Sequence, residues 1–279
     1  MRPFNRWGVT RRGSLGPHRT MPEDLIQFWS RCHLDAPLFV HPDDLPFLKK
    51  DIESQHPTSF GDFLSCPRFG NRKDKHFHLS LRPVPYVGDV RRAKVVILTL
   101  NPGLEFGDYW AEFEVPEFRR SLERNLYQSF DHTGYPFLCL NPQFCWWGGF
   151  RWWEGKLRDV IRRIADLRFS GSYLEALRFM AQNLACLELF PYHSTSFAHH
   201  GLRKSLPSAL QAQSFFQKHL KPDAIEGKRT VIVTRQTESW KIEKSKGDLI
   251  VYGKGQARGA SLSADSKGGK AILKRFGIF

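Results

Sequence analysis

The run Ala93-Lys94-Val95-Val96-Ile97-Leu98-Thr99-Leu100 leads directly into Asn101-Pro102-Gly103-Leu104. A continuous run of aliphatic and β-branched residues is typical of a strand that is buried on both faces, as in a parallel sheet. Asparagine, proline and glycine favour a turn. The sequence therefore predicts a buried central strand over residues 93–100, with a loop over residues 101–110 at its carboxyl end.

Three further short apolar runs predict strands, at residues 186–190, 230–234 and 249–252. Apolar residues with helical spacing lie between and after these strands, at residues 115–130, 153–167, 172–183, 207–220 and 267–276. Strands that alternate with helices favour a parallel sheet covered on both faces. We therefore expect an α/β fold, specifically a three-layer α/β/α sandwich around a mostly parallel, four-stranded sheet.

The N-terminal part of the chain differs in composition from the rest. Residues 1–20 contain five arginines, no acidic residue and no apolar periodicity, which is typical of a disordered basic arm. Residues 21–92 combine short helical stretches with extended chain rich in Pro, Gly and Arg, which predicts a lead-in to the core at residues 93–279. We expect a single domain over residues 21–279, and Met21 is a candidate for the natural start.

Composition excludes several classes of protein. No apolar run approaches the roughly 20 residues that a bilayer-spanning helix needs, and the first residues lack the apolar stretch of a secretory signal. The five cysteines are odd in number and form no C-x-x-C pair, so they suggest neither a disulfide framework nor a metal site. We expect a monomeric cytoplasmic protein with reduced, mostly buried thiols, no membrane partner, no metal and no other cofactor.

The charge of the chain is strongly basic, at +14. Much of the excess lies in the N-terminal arm and in residues 221–279, which hold thirteen Lys and Arg against six Asp and Glu. Such a balance favours polyanionic partners, because cationic side chains that contact phosphates release counterions. The alternative is a surface whose charge only keeps the protein soluble.

Ligands of open α/β folds bind outside the carboxyl ends of the strands, which directs attention to the loop at Asn101. Residues 95–104, Val-Val-Ile-Leu-Thr-Leu-Asn-Pro-Gly-Leu, resemble the first signature motif of the mismatch-specific and single-strand-selective branches of the uracil-DNA glycosylase superfamily. The segment Pro83-Val84-Pro85-Tyr86-Val87-Gly88-Asp89 is similar to one in bacterial members of that fold. The resemblance implies a uracil-DNA glycosylase-like fold and a glycosylase that hydrolyses the N-glycosidic bond of a damaged or deaminated base in single- or double-stranded DNA.

The resemblance also implies roles for residues of the first loop. Asn101 would hold the water that attacks the sugar, and Pro102 and Gly103 would complete the turn beside the base. Gly103 falls where the uracil-specific branch has a tyrosine, so that side of the pocket would be open, unless the glycine simply provides a positive φ. The aromatic residues that could stack on a flipped base are Phe106, Tyr109, Trp110 and Phe190, although aromatics near a loop are more often part of the core.

Glu188 stands where members of the superfamily often have an asparagine that reads the base edge. An ionised carboxylate only accepts hydrogen bonds, whereas a uracil edge presents the O4 acceptor as well as N3–H. If Glu188 faces the pocket, we expect it to disfavour uracil and to prefer an edge with amino donors. The alternative is that Glu188 faces solvent or pairs with an arginine. His193 is a candidate donor to the base or to a phosphate, or else a surface histidine.

The loop at residues 253–266 stands where the superfamily has its second motif, but it lacks the usual His or Asn. Arg258 and Ser261 are candidates for gripping phosphate or for wedging into the duplex. This departure leaves open a non-catalytic nucleic-acid or nucleotide-binding protein on the same fold, or an unrelated nucleotide-handling enzyme. The Trp-rich segment at residues 144–153 fits packing under the sheet better than stacking on bases.

Overall fold

The aliphatic run around Ile97 forms the middle strand of a five-stranded sheet. The computed structural model describes residues 24–35, 37–131, 133–242, 244–253 and 260–278, so the predicted basic arm and Met21 lie outside the described residues. The strands are β1 (Tyr86–Val87), β2 (Val95–Thr99), β3 (Leu184–Glu188), β4 (Thr230–Val233) and β5 (Leu249–Val251). Their order across the sheet is β1-β3-β2-β4-β5.

The sheet is mixed, and this corrects the expectation of four strands. Strand β2 pairs in parallel with β3 and β4, and β4 pairs in parallel with β5. The additional strand β1 runs antiparallel to β3, with Tyr86 opposite Leu187. Two residues are too few to show the alternation by which a strand is predicted. The coarse prediction of an α/β fold is confirmed.

The described residues form ten α-helices. They are α1 (Leu25–Trp29), α2 (Lys49–Ile52), α3 (Phe60–Ser65), α4 (Phe106–Glu114), α5 (Pro116–Leu126), α6 (Gly148–Arg168), α7 (Tyr173–Asn183), α8 (Pro207–Phe215), α9 (Lys221–Ile225) and α10 (Lys267–Arg275). Short 3-10 helices cover Pro42–Phe47, Leu138–Leu140, Pro142–Phe144 and His200–Lys204, and a π-helical turn at Phe216–Leu220 joins α8 to α9.

Two predicted boundaries were wrong in ways that matter for the site. Helix α6 begins at Gly148, five residues before the predicted start, so it includes part of the Trp-rich segment. Strand β3 covers residues 184–188 instead of 186–190, and Glu188 is therefore its last residue. Leu189 and Phe190 are buried beyond the strand end, which made them look like strand residues in the sequence.

Side chains of β2 alternate between two hydrophobic clusters, one on each face of the sheet. Val95 and Ile97 pack with residues of α5, α6, α7 and α10. Val96 and Leu98 pack with residues of α1 and α8 and with other parts of the N-terminal lead-in. Burial on both faces accounts for the uninterrupted apolar run that predicted the strand. None of the helices in the described ranges has both the length and the apolar character that crossing a membrane requires.

Candidate functional site

A cavity of about 540 Å³ lies at the carboxyl ends of β2, β3 and β4. Polar side chains at the strand ends line one part of it, and buried aliphatic side chains line another. The polar group comprises Thr99, Asn101, Glu188, His193, Ser194 and Thr234. The aliphatic group comprises Val84, Val87, Ile97, Leu122 and Leu138. A cavity of this volume and mixed lining is typical of a site for a small organic ligand.

The side chain of Asn101 is fixed by its amide nitrogen. Nδ2 donates to the carbonyl of Pro102 at 2.8 Å, to Ser194 Oγ at 2.9 Å and to the carbonyl of Tyr192 at 3.4 Å. No donor in the described part of the chain bonds Asn101 Oδ1. The amide oxygen is thus oriented by the loop after β3 and keeps its capacity to accept a hydrogen bond in the cavity.

Glu188 ends β3 with its side chain buried in the cavity wall. Oε1 accepts a long hydrogen bond from Cys186 Sγ, at 3.5 Å, and Oε2 has no hydrogen-bond partner. Among the described lysines and arginines, none forms an ion pair with this carboxylate. Burial raises the pKa of Glu188 to about 7, and the Thr99 hydroxyl and the Cys186 thiol offset only part of that effect. The alternative positions, facing solvent or paired with an arginine, are not adopted.

His193 lies on the loop that follows β3 and is buried beside the first loop. Its Nδ1 is 2.8 Å from the carbonyl oxygen of Gly103, a contact in which Nδ1–H donates. Its Nε2 is buried without a hydrogen-bond partner. His193 therefore bridges the loops after β2 and β3 and leaves one ring nitrogen for a ligand.

Asp108 holds the indole of Trp147 in the cavity wall. Trp147 Nε1 donates to Asp108 Oδ1 at 2.6 Å, and the backbone N–H of Glu105 donates to Oδ2 at 2.7 Å. Burial raises the pKa of Asp108, while the nearby His193 lowers it. At the start of α6, a Cβ on Gly148 would overlap the Glu105 carboxylate, and a Cβ on Gly149 would overlap the Trp147 ring. Two glycines in succession thus allow this close packing.

The aromatic wall expected from the sequence is not formed by the residues that were chosen for it. Phe106 is exposed and packs on Phe69, with ring centroids 4.7 Å apart. Tyr109 is fully buried, stacks on Phe63 and bonds His78 Nδ1 through its hydroxyl. Phe190 is buried in the cluster on the opposite face of the sheet. None of these three side chains lines the cavity, and neither does Trp110, the fourth candidate.

The aromatic lining comes instead from the Trp-rich segment, for which the sequence favoured packing under the sheet over stacking on bases. Trp147, Trp152 and Trp153 line the cavity, together with Phe118 and Phe197. Trp152 is 47% exposed, and the ammonium of Lys156 lies 5.6 Å from the centre of its ring. The sequence feature that could have indicated this position of Trp147 is the pair of glycines that follows it, because the indole packs where a Cβ on Gly149 would lie.

Residues of the first loop line the cavity, whereas Ser261 of the last loop does not. Pro102 and Gly103 line the cavity. A Cβ built on Gly103 has no atom within 4 Å, and the φ of Gly103 is not positive, so a positive φ does not account for this glycine. Ser261 Oγ donates to Ser263 Oγ at 3.0 Å, and its carbonyl accepts from Ser266 Oγ at 2.8 Å. Ser261 therefore shapes the turn before α10. Arg258 lies outside the described residues.

The described residues contain no cluster of three or more His, Cys, Asp or Glu side chains that could hold a metal ion. All five cysteines lie in the described ranges and are free thiols, with Cys32, Cys139 and Cys186 buried.

Comparison with known proteins gives no matching family model, no matching curated protein and no matching solved structure. The resemblance of residues 95–104 to the glycosylase motif thus stays a prediction. What the molecule itself supplies is a cavity whose polar lining includes Asn101, Glu188 and His193.

Proposed function

We propose that the protein is a DNA glycosylase that hydrolyses the N-glycosidic bond of a damaged base, with Asn101 as the residue that holds the attacking water. The observation that carries this proposal is the fixed Asn101 amide, whose nitrogen is bonded to Pro102 and Ser194 and whose oxygen is free to accept. It lies at the end of the central strand, in a cavity of ligand size with aromatic walls. The resemblance of its loop to the glycosylase motif agrees with this role.

Cleavage of an N-glycosidic bond does not require a strong nucleophile. Cleavage of an N-glycosidic bond proceeds through an oxocarbenium-like sugar, so an aligned water is sufficient. Water would donate a hydrogen bond to Asn101 Oδ1 while its oxygen bonds C1′. The C1′–N bond breaks with its electron pair moving to the base, and the water's proton passes to bulk solvent or to the departing base. An amide cannot take that proton, so Asn101 acts by position alone.

The basic balance of the sequence supports a DNA substrate. The chain carries a net charge of +14, and the cavity lining includes the cationic side chains of Arg235 and Lys156. Cations at the mouth of such a cavity would contact the phosphates on either side of a flipped nucleotide.

A second candidate is a non-catalytic nucleic-acid or nucleotide-binding protein on the same fold. The observation that favours it is the last loop, which contains no His or Asn over residues 253–266 and uses Ser261 to build its own turn. Without a His or Asn in this loop, a departing base anion would have few hydrogen-bond donors beside it. Nε2 of His193, which has no partner, is a candidate donor when the ring is protonated.

Labelled oligonucleotides test the enzymatic proposal. Single and double strands that carry uracil, hypoxanthine, xanthine, an oxidised or alkylated guanine, or a G·T mismatch are incubated with protein and then treated with alkali to cut abasic sites. We expect cleavage by the wild type and a loss of about 100-fold or more in Asn101→Ala, because the water is no longer aligned. Asn71→Ala is the matched control, since Asn71 is exposed and only caps a turn.

Two results would contradict the glycosylase. One is that no substrate yields abasic sites. The other is that Asn101→Ala cleaves as fast as the wild type does. Salt-sensitive binding without cleavage would favour the non-catalytic alternative.

A further inference from the structure

Two buried polar atoms in the cavity lining lack a hydrogen-bond partner, one at the end of β3 and the other on the loop that follows it. They are Oε2 of Glu188 and Nε2 of His193, and the two residues are only 8% and 6% exposed. A buried polar group without a hydrogen bond is costly, and such groups are rare in native proteins. Their joint presence in a cavity indicates that a ligand supplies the missing partners.

On the basis of the proposed function, we propose that Glu188 selects the substrate by accepting two hydrogen bonds from a guanine-type base edge. The donors would be the N1–H and the 2-amino group, one to each carboxylate oxygen. These two donors are adjacent on guanine and match the spacing of a carboxylate. Oxidation or alkylation of the imidazole ring leaves both donors in place, so the substrate class is damaged guanine.

Other bases match the carboxylate less well. Uracil presents N3–H between two carbonyl acceptors, and adenine and cytosine each present one amino group beside a ring-nitrogen acceptor. Acceptors that face an ionised carboxylate are repelled, because the carboxylate has only lone pairs to offer. Guanine alone among the common bases offers two adjacent donors.

No described lysine or arginine forms an ion pair with the Glu188 carboxylate, so a ligand can bind it. Its close neighbours are the Thr99 hydroxyl and the thiols of Cys186 and Cys139, none of which carries a positive charge. Arg235 influences the carboxylate from an exposed position and makes no ion pair with it. A ligand with two N–H donors is therefore the partner that fits.

The cavity is also large enough for a purine. Its volume is about 540 Å³, and the open space at Gly103 leaves room beside the base. Trp147, Trp152 and Trp153 provide indole surfaces in the wall. Indoles attract electron-poor rings, and a positively charged alkylated guanine would gain from them as well.

Calorimetric titration with deoxynucleosides tests the proposal without any need for turnover. Deoxyguanosine, deoxyinosine, deoxyadenosine and deoxyuridine are titrated at pH 8 into full-length wild type, Glu188→Gln and Glu175→Gln. We expect the wild type to bind deoxyguanosine about tenfold to a hundredfold more tightly than the other three, the range for one bidentate pair. Glu188→Gln should lose this preference and gain affinity for deoxyuridine, because an amide both donates and accepts. Glu175→Gln removes an exposed charge on α7 and should behave as wild type.

Equal affinities for all four nucleosides in the wild type would overturn the proposal. So would an unchanged preference in a Glu188→Gln protein whose circular dichroism spectrum is native. A second test leaves the protein unaltered: N1-methyldeoxyguanosine, which lacks one donor, should bind the wild type at least tenfold more weakly than deoxyguanosine. Equal binding of these two would also overturn the proposal, whether or not Glu188→Gln folds.

The outcomes separate the two proposals. A deoxyguanosine preference without cleavage of any oligonucleotide would leave Glu188 as a base reader in a binding protein. Cleavage that depends on Asn101 without a guanine preference would keep the glycosylase and reject the role of Glu188. Titrations repeated in Asn101→Ala should keep the preference, because base reading does not depend on the water.

Discussion

Glu188 is a carboxyl group that the folded chain keeps away from water, and this has a consequence for stability as well as for recognition. Its pKa is raised from 4.5 to about 7 because burial disfavours the charged form. Between these two pH values, the folded chain binds a proton that the unfolded chain releases. The free energy of unfolding must therefore fall as the pH rises through this window.

Glu188→Gln should remove that contribution to the pH dependence. Relative to the wild type, the variant should gain about 3 kcal/mol of stability between pH 4.5 and pH 7, at about 1.4 kcal/mol for each pKa unit. Urea denaturation of both proteins at four pH values across the window measures the difference. Glu112, whose pKa burial also raises to about 7, is present in both proteins and cancels. Parallel stability curves would contradict the prediction.

The polar residues of the site could be predicted from the sequence because each lies at or just after the end of a strand. Asn101 follows β2, Glu188 ends β3 and His193 is on the loop beyond it. Those positions meet at one edge of a parallel sheet whatever the details of packing. The tryptophans could not be assigned in the same way, since the position of Trp147 depends on Asp108, a residue 39 positions earlier. A contact between residues so far apart produces no periodic pattern in the sequence.

At the scale of elements, the first turn of α6 connects the helix to the cavity. Gly149 carries no Cβ, and the ring of Trp147 occupies the space where one would be. Gly155, in the same helix, has no atom within 4 Å of the place where its Cβ would be. The space beside Gly149 is therefore filled by another side chain, and the space beside Gly155 is empty.

Gly155→Ala should stabilise the fold, whereas Gly149→Ala should disturb the cavity wall. Alanine at 155 should stabilise the protein by about 0.5–1 kcal/mol, because alanine is the better helix former. Alanine at 149 should displace the Trp147 ring, weaken nucleoside binding about tenfold or more and alter the near-ultraviolet circular dichroism. Thermal denaturation and calorimetric titration measure both effects. If Gly149→Ala binds as the wild type does, the Trp147 ring is not part of the binding wall.

Prediction of the elements succeeded where burial gives a simple pattern. Strand β2 is covered on both faces, so its sequence is apolar without interruption and its position was predictable. Strand β1 has two residues, and its existence depends on pairing with β3, which lies about 100 positions later. The sequence did not predict the start of α6, because two glycines and paired tryptophans do not have the spacing of an amphipathic helix. These residues are nevertheless helical in the structure.

At the scale of the whole molecule, the net charge of +14 should govern affinity for DNA and leave base reading untouched. Binding of a single-stranded oligonucleotide, followed by fluorescence anisotropy, should weaken on the order of tenfold to a thousandfold between 50 and 200 mM salt, as cations released from phosphates no longer drive association. Deoxyguanosine has no phosphate, and its affinity should change less than twofold over the same range. A nucleoside that is as salt-sensitive as the oligonucleotide would show that surface charge, and not the cavity, dominates its binding.

Strand β3 has neighbours on both sides, β2 in parallel and β1 in antiparallel orientation. Its last residue therefore stands on backbone that is held from two directions, and an exchange of side chain at position 188 would leave the strand where it is. On the proposed role of Glu188, a single substitution at this position is expected to change which base the cavity accepts.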